Sequence, residues 1–344
     1  MLPPLTLLIL VIAGNETVPA QTAPWKFAVF GDGRSDRGND PGATNGVRWA
    51  STRAIAAHAA SQRVSLVLFS GDLANGNANF GSLSNQWTEW KKDMAPLYDA
   101  GIRVLPVRGN HEVHQADSIP TWKSMFSDLP QNGPPGELGL TYMLETNNAC
   151  FIGFDQFVHL TTNASGVESG MVSPWVLARI NQTTKRWVFA FAHEAAFCGH
   201  HPDCLASAPT ERDQLWDALG AKGGVYLSGH DHMYVRHWAP DSKGNPVLEL
   251  VVGDAGAPPY ALDHEDANPR PPHDLFVNAA QPTVNTNNYP MYFGYVIVTV
   301  FPDHLEGQWW ALTNYDTTKL ATEEPPARAK FVNLDTNGFV WPMR

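Results

Sequence analysis

The sequence predicts an α/β fold built on two sheets, and two observations carry that reading. From residue 25 to about residue 232, short apolar runs alternate with stretches of helical periodicity. Such alternation sets consecutive strands parallel. Beyond that region the helical stretches stop and strand-like runs follow one another, which calls for a second sheet, mixed or antiparallel.

WKFAVFGD (25–32) reads as a strand and VRWASTRAIAAHAASQR (47–63) as a helix, with apolar positions recurring at three and four. LVLFSGDL (66–73) is the next strand. LSNQWTEWKKDMAPLYDAG (83–101) is the next helix, ended by Gly101. IRVLPVRGNHE (102–112) is a third strand with its exit loop. IPTWKSMFSDL (119–129) reads as a short helix and QNGPPGELG (131–139) as a loop. TYMLETNNACFIGFD (141–155) makes two strands about the turn-forming pair Asn147 and Asn148. SPWVLARINQTTK (173–185) is a helix with Ser173 as N-cap and Pro174 in its first position. WVFAFAHEAAF (187–197), ERDQLWDALGAKG (211–223) and GVYLSGHDH (224–232) continue as strand, helix, strand. MYVRHWA, PVLELVVGD, YFGYVIVTVF and EGQWWALT are the later strands. Residues 261–290, rich in Pro, Asn, Asp and His, read as a long loop. No linker and no internal repeat divides the chain, so one domain is expected over 25–344.

Composition narrows the function. Of 344 residues, 43% are hydrophobic and 17% charged, enough to bury a large core and to exclude a disordered chain. The formal net charge of −11 argues against a nucleic-acid groove. A small phosphorylated substrate remains compatible, because bound cations reverse the local field. LPPLTLLILVIAG is too short to span a bilayer and suits the apolar part of an export signal over residues 1–20, although no Lys or Arg precedes it. A secreted or periplasmic protein is expected. Cys198 and Cys204 bracket CGHHPDC and can close a small disulfide in an oxidising compartment, whereas Cys150 reads as a buried free thiol.

Five short motifs end five of the strands: FGDGR (30–34), SGDLANG (70–76), RGNHE (108–112), AHE (192–194) and SGHDH (228–232). Ligands bind beyond the carboxyl ends of strands in open α/β sheets, so these motifs should converge. A glycine precedes Asp32, Asp72, Asn110 and His230, and is expected to make a tight turn at each. Carboxylate, amide oxygen and imidazole together suit Mn, Fe or Zn ions. A shared carboxylate can hold two such ions about 3.5–4 Å apart and acidify a water between them for in-line attack on phosphorus.

The ordered set resembles the calcineurin-like metallophosphoesterase superfamily, which includes purple acid phosphatases, cyclic-nucleotide phosphodiesterases and acid sphingomyelinases. The motifs stand here as Asp32-Gly33-Arg34, Gly71-Asp72, Gly109-Asn110-His111-Glu112, His193 and Gly229-His230-Asp231-His232. The resemblance implies a four-layer αββα sandwich and two metal ions. Asp32 and His232 would bind the first, Asp72 would bridge, and Asn110, His193 and His230 would hold the second. His111 would stabilise transition-state charge or protonate the leaving oxygen.

One position departs from the pattern. The superfamily has His where this chain has Arg34, and a guanidinium has no lone pair to donate. Purple acid phosphatases replace that His by a Tyr three residues after the bridging Asp, where this chain has Asn75. Asn75 or water would then fill the gap, or the first site would be weak, or Arg34 would clamp phosphate. The clamp is the favoured expectation, with the first ion kept by Asp32, Asp72 and His232.

Several further residues have both a structural and a functional reading. His200 and His201 are candidates for substrate contact, as is Arg108, for which a structural ion pair is an equal alternative. His114, Asp36 and His58 read as loop or packed residues. One of Trp309 and Trp310 should face the core. GDAGAPPY (253–260) resembles a substrate-side loop. The function expected is hydrolysis of phosphate esters, with phosphodiesterase or nucleotidase specificity and a non-catalytic phospho-ligand-binding domain as alternatives.

Overall fold

The structure is a computed structural model that describes residues 23–36, 43–263, 273–278, 292–314, 329–336 and 338–342, the 273–278 segment as backbone only. The leader expected over residues 1–20 lies outside the described residues.

The apolar runs of the first third become β1 (Trp25–Phe30), β2 (Leu66–Phe69) and β3 (Arg103–Pro106), which pair in parallel. Between them lie α1 (Trp49–Ser61), α2 (Leu83–Asp93) and α3 (Ala95–Asp99). The single helix expected over 83–101 is two. Pro96 has no N–H to continue the ladder, so the chain breaks at Met94 and restarts with Pro96 in the first turn. Gly101, at φ 71°, closes α3.

The chain continues through α4 (Ser118–Met125) and a hairpin of β4 (Tyr142–Thr146) and β5 (Ala149–Gly153), turned at Asn147 with φ 51°. A small hairpin of β6 (Thr161–Thr162) and β7 (Glu168–Ser169) follows. Then come α5 (Pro174–Gln182), β8 (Trp187–Phe191), α6 (Pro209–Gly220) and β9 (Val225–Ser228). Ser173 occupies the N-cap of α5, but its hydroxyl makes no capping bond.

The remaining strands are β10 (Tyr234–Pro240), β11 (Pro246–Val252), β12 (His273–Asn278), β13 (Gly294–Val300), β14 (Leu305–Leu312), β15 (Phe331–Asn333) and β16 (Phe339–Trp341). β12 corrects the expectation of an unbroken loop over 261–290. It pairs antiparallel with β10 at the sheet edge. Its apolar stretch is only Leu275–Phe276–Val277, too short to stand out among the surrounding polar residues.

One sheet runs β15-β14-β13-β1-β2-β3 with β16 beside β14, and the other β12-β10-β11-β9-β8-β5-β4. Both mix parallel and antiparallel pairs. They meet face to face through aromatic rings: Phe27 of β1 lies 5.1 Å from Phe151 of β5 and 4.9 Å from Phe189 of β8, edge to face. All three are buried, and each contributes about 1.5–3 kcal/mol by leaving water. Outside the second sheet, α5 and α6 pack Val176, Ile180, Leu215 and Trp216 on Ile152, Val188 and Tyr226. With α1 to α3 against the first sheet, where Phe69 of β2 meets Trp90 of α2, the order is helix, sheet, sheet, helix. This is the four-layer αββα sandwich.

Three smaller expectations meet their structure here. Cys150 is a buried free thiol. Trp309 faces the core, stacked on Tyr234 at 5.1 Å, while Trp310 is half-buried. His58 is packed, lying flat on Phe331 at 4.2 Å.

Candidate metal centre

The carboxyl ends of β1, β2 and β3 from one sheet and of β8 and β9 from the other reach the same rim. Their exit turns are tight in an unusual way. Asp32, Asp72 and His230 are themselves left-handed, at φ 57°, 52° and 69°. A side chain in that region costs on the order of 1–3 kcal/mol, and such strain concentrates at functional sites. The preceding glycines serve these turns in two ways. Of the four, only Gly71 has positive φ, at 88°. The others permit close approach: a Cβ on Gly109 would lie 2.2 Å from Asp72 Oδ1, and one on Gly229 2.2 Å from Asp32 Oδ2.

The donor atoms of four residues crowd one point. His193 Nε2 lies 3.0 Å from Asn110 Oδ1, 3.1 Å from His230 Nδ1 and 3.4 Å from Asp72 Oδ1. Such separations suit neighbouring donors on one ion with metal–ligand bonds of about 2.1 Å. His193 Nδ1 donates to Ser70 O at 2.8 Å, which leaves the Nε2 lone pair facing that point. Asp32, Asp72 and His193 offer donor atoms within 4.8 Å of one another, all buried. Asp32 Oδ1 has no hydrogen-bond partner among the described residues. These donors and the orphaned carboxylate oxygen fit a metal ion.

Arg34 stands beside this cluster, 4% exposed. Its Nε donates to Asp72 Oδ2 at 3.0 Å and its Nη2 to His232 Nε2 at 3.1 Å. Nη2 also lies 3.5 Å from the Tyr260 hydroxyl, and Nη1 pairs with Asp36. The guanidinium thus faces the expected first-site ligands. The sequence expectation for Arg34 is a phosphate clamp, with the first ion kept by Asp32, Asp72 and His232. His232 Nδ1 donates to Pro258 O at 2.6 Å, so Nε2 carries the lone pair that Arg34 uses. His232 Nε2 lies 3.6 Å from Asp32 Oδ1.

His111 reaches the cluster from the loop after β3. Its Nδ1 donates to Asn75 O at 2.5 Å and its Nε2 lies 3.8 Å from Asp72 Oδ2. Its backbone N–H donates to Asp72 Oδ1. Glu112 is buried and accepts the backbone N–H groups of Asp72, Ala74 and Gly109, tying the second and third motifs together.

The other expected contacts divide. Asn75 donates its amide N–H to Ser35 O and accepts the Asn77 backbone N–H on its oxygen. Arg108 is buried, with Nε on Asp155 at 2.5 Å and Nη1 on Ser118 Oγ, which corresponds to the structural ion pair and departs from the phosphate contact. Cys198 and Cys204 form a disulfide around the histidine loop. His201 lies on the His230 ring at 3.9 Å, and His200 on the Tyr260 ring at 4.2 Å. Asp231 anchors that loop by accepting N–H groups from Gly199, His200 and His201. His114 is exposed, 4.7 Å from the His111 ring.

Sequence reading missed the roles of Tyr260, Asp203 and Gln156. Tyr260 stacks on His232 at 4.0 Å, and Gln156 accepts the backbone N–H groups of His193 and Glu194. Asp203 lies 3.6 Å from His230 Nε2. The only available signal was the position of Tyr260 at the end of GDAGAPPY.

Burial sets the protonation states. It pushes His193 down to about 3 and, with Arg34 beside it, holds His232 well below the usual imidazole range. Both rings are therefore neutral donors, as metal ligation requires. Burial alone would lower His230 too, but Asp203, Glu194 and Asp231 outweigh it and raise the ring to about 9. That field favours a cation at this position. Burial and the neighbouring Asp72 lift Asp32 well above the carboxylate range. Burial would also lift Asp72, but His193, His111 and Arg34 hold it far below.

The fold and this cluster define a metal-dependent phosphoesterase. The family model of the calcineurin-like phosphoesterases matches residues 26–234, more than half of the chain, and the chain belongs to that family. A search of curated protein sequences gives no match. Among solved structures, the chain is similar to PhoD, with TM-score 0.61 and 12% identity over 92% of this chain and 69% of that one. It is similar to the purple acid phosphatase PPD1 of yellow lupin (Lupinus luteus), with TM-score 0.56 and 16% identity over 89% of this chain and 54% of that one. It is also similar to a dimetal phosphatase of Danio rerio, with TM-score 0.50 and 14% identity over 83% and 95%. At these identities the likeness establishes the fold. As a member of the calcineurin-like phosphoesterase family, the chain is a hydrolase acting on phosphoric esters.

Proposed function

We propose that the phosphoester is hydrolysed at the rim where Asp72, Asn110, His193 and His230 hold a divalent or trivalent metal ion of the Mn, Fe or Zn class. The convergence of Asn110 Oδ1, His230 Nδ1 and Asp72 Oδ1 on His193 Nε2 carries this reading. When bound, the ion supplies Lewis-acid polarisation of the phosphoryl group and a nucleophilic water at neutral pH. The protein groups do the rest. Ser70 O fixes the His193 tautomer, and Asp203 lies behind His230. His111, with Nδ1 committed to Asn75 O, presents Nε2 for charge stabilisation or proton donation to the leaving oxygen. Arg34 places a fixed positive charge beside Asp72. Asp32 and His232 flank it, and His200 and His201 line the approach as substrate contacts. Donors come from both sheets, so both act as one catalytic unit.

Export from the cytoplasm is part of this reading. The Cys198–Cys204 disulfide, which oxidising compartments sustain, and the apolar leader of the sequence support it. No helix among the described residues is long and apolar enough to cross a membrane.

The test is turnover of p-nitrophenyl phosphate and its bis ester, before and after metal stripping and reloading with Mn²⁺ or Zn²⁺. Metal-dependent release of nitrophenolate from either ester is expected, and the preferred ester assigns monoesterase or diesterase specificity. Absence of turnover on both, with metal bound, would favour a phospho-ligand-binding domain.

A further inference from the structure

The family arrangement implies two ions, and the donors here fit one position better than the other. An ion at the first position would need the one lone pair of the His232 ring, on Nε2, and open access to Asp72 Oδ2. In this chain both already accept N–H groups of Arg34, at 3.0 and 3.1 Å. The guanidinium cannot give up its charge or offer a lone pair in exchange. It is buried at 4% exposure and paired with Asp36 on its outer edge. The Tyr260 ring stacks on His232, with its hydroxyl 3.5 Å from Nη2. An ion placed among these atoms would meet a like charge at contact distance with little solvent to screen it.

We propose that Arg34 takes the place of the first ion. The chain then carries a single metal ion, at the Asp72–Asn110–His193–His230 position, and a built-in guanidinium serves as the second cation. This single-ion arrangement rests on the reading of the site given above. The chemistry of the Asp32–His232 pair also changes, from ligation to positioning: His232 Nε2 orients Arg34, and Asp32 Oδ2 accepts the His230 backbone N–H at 3.0 Å.

Elemental analysis after saturation with Mn²⁺ and desalting tests this directly. Wild-type protein should retain about one ion per chain, and its Mn²⁺ electron paramagnetic resonance spectrum should be that of an isolated ion. Arg34→His, which restores an imidazole at this position, should retain about twice as much metal. Two ions per wild-type chain, or the spectrum of a spin-coupled pair, would overturn the assignment of Arg34 while leaving the catalytic site standing. A folded Arg34→His protein that still holds one ion would overturn it as well. Should that variant fail to fold, the wild-type stoichiometry and spectrum decide alone. Wild-type protein that neither retains metal nor turns over an ester would overturn the reading of the site itself.

Discussion

His193 and His230 point ring nitrogens at each other, Nε2 to Nδ1, at 3.1 Å. One comes from the turn after β8 and the other from the turn after β9, parallel neighbours in the second sheet. In the proposed site, two imidazoles so arranged, one of them with its outer N–H committed to Ser70 O, would present their inner faces to a shared cation. Replacing either by Ala should remove the bound metal and lower kcat/KM by more than the roughly 10–100-fold typical of residues that only support a ligand. Metal content and turnover of the two variants check this; a folded variant with full metal content would contradict it.

The proposed task of His111 is different. Asn75 O fixes its tautomer, and its Nε2 stands 3.8 Å from Asp72 Oδ2. His111→Gln should keep the metal and lose about 10²–10⁴-fold in kcat. Steady-state kinetics beside elemental analysis separate that result from loss of the ion. An equal fall in both would make His111 a support for Asp72.

The glycines of the rim are sensitive for a steric reason. A methyl on Gly109 would fall 2.2 Å from Asp72 Oδ1, and on Gly229 2.2 Å from Asp32 Oδ2. Gly109→Ala and Gly229→Ala should displace those carboxylates and weaken metal retention, with the circular dichroism of the folded chain kept. By contrast, a Cβ on Gly101 meets nothing within 4 Å, although its φ of 71° strains a side chain. Gly101→Ala should therefore lower stability by about 1–2 kcal/mol and leave metal retention unchanged.

Stability should depend on pH through a histidine far from the rim. Burial against Phe331 and Trp310 pushes His58 down to about 4 from an ordinary value of 6.5. The folded state therefore resists protonation of a ring that the unfolded chain protonates readily. This contribution is fully present above pH 6.5 and is lost as pH falls from 6.5 towards 4. The ring is half-buried, so the loss should be about 1–2 kcal/mol. Chemical denaturation at several pH values, compared with His58→Phe, isolates it: the variant should show a shallower fall across that window.

Much of the architecture was legible because the strands are continuous apolar runs and each motif directly follows one. That placement brings the Asp32, Asp72, Asn110, His193, His230 and His232 side chains to one rim. The sequence also showed that Arg34 lacks a lone pair. Its direction was not legible, since that depends on Asp72 and His232, 38 and 198 positions away in the chain. Tyr260 was hidden for a similar reason, in a Pro-rich loop with no periodicity. β12 was hidden by its short apolar stretch.

The most direct test of the account follows ester turnover as metal-stripped protein is titrated with Mn²⁺, in wild-type and Asn110→Ala forms. Wild-type turnover should be absent without metal and should rise with the bound ion until the site is filled. Asn110→Ala, lacking the oxygen 3.0 Å from His193 Nε2, should bind the ion weakly and recover little activity. Full turnover by the stripped protein, or full recovery by Asn110→Ala, would contradict a metal-dependent hydrolase centred on these residues.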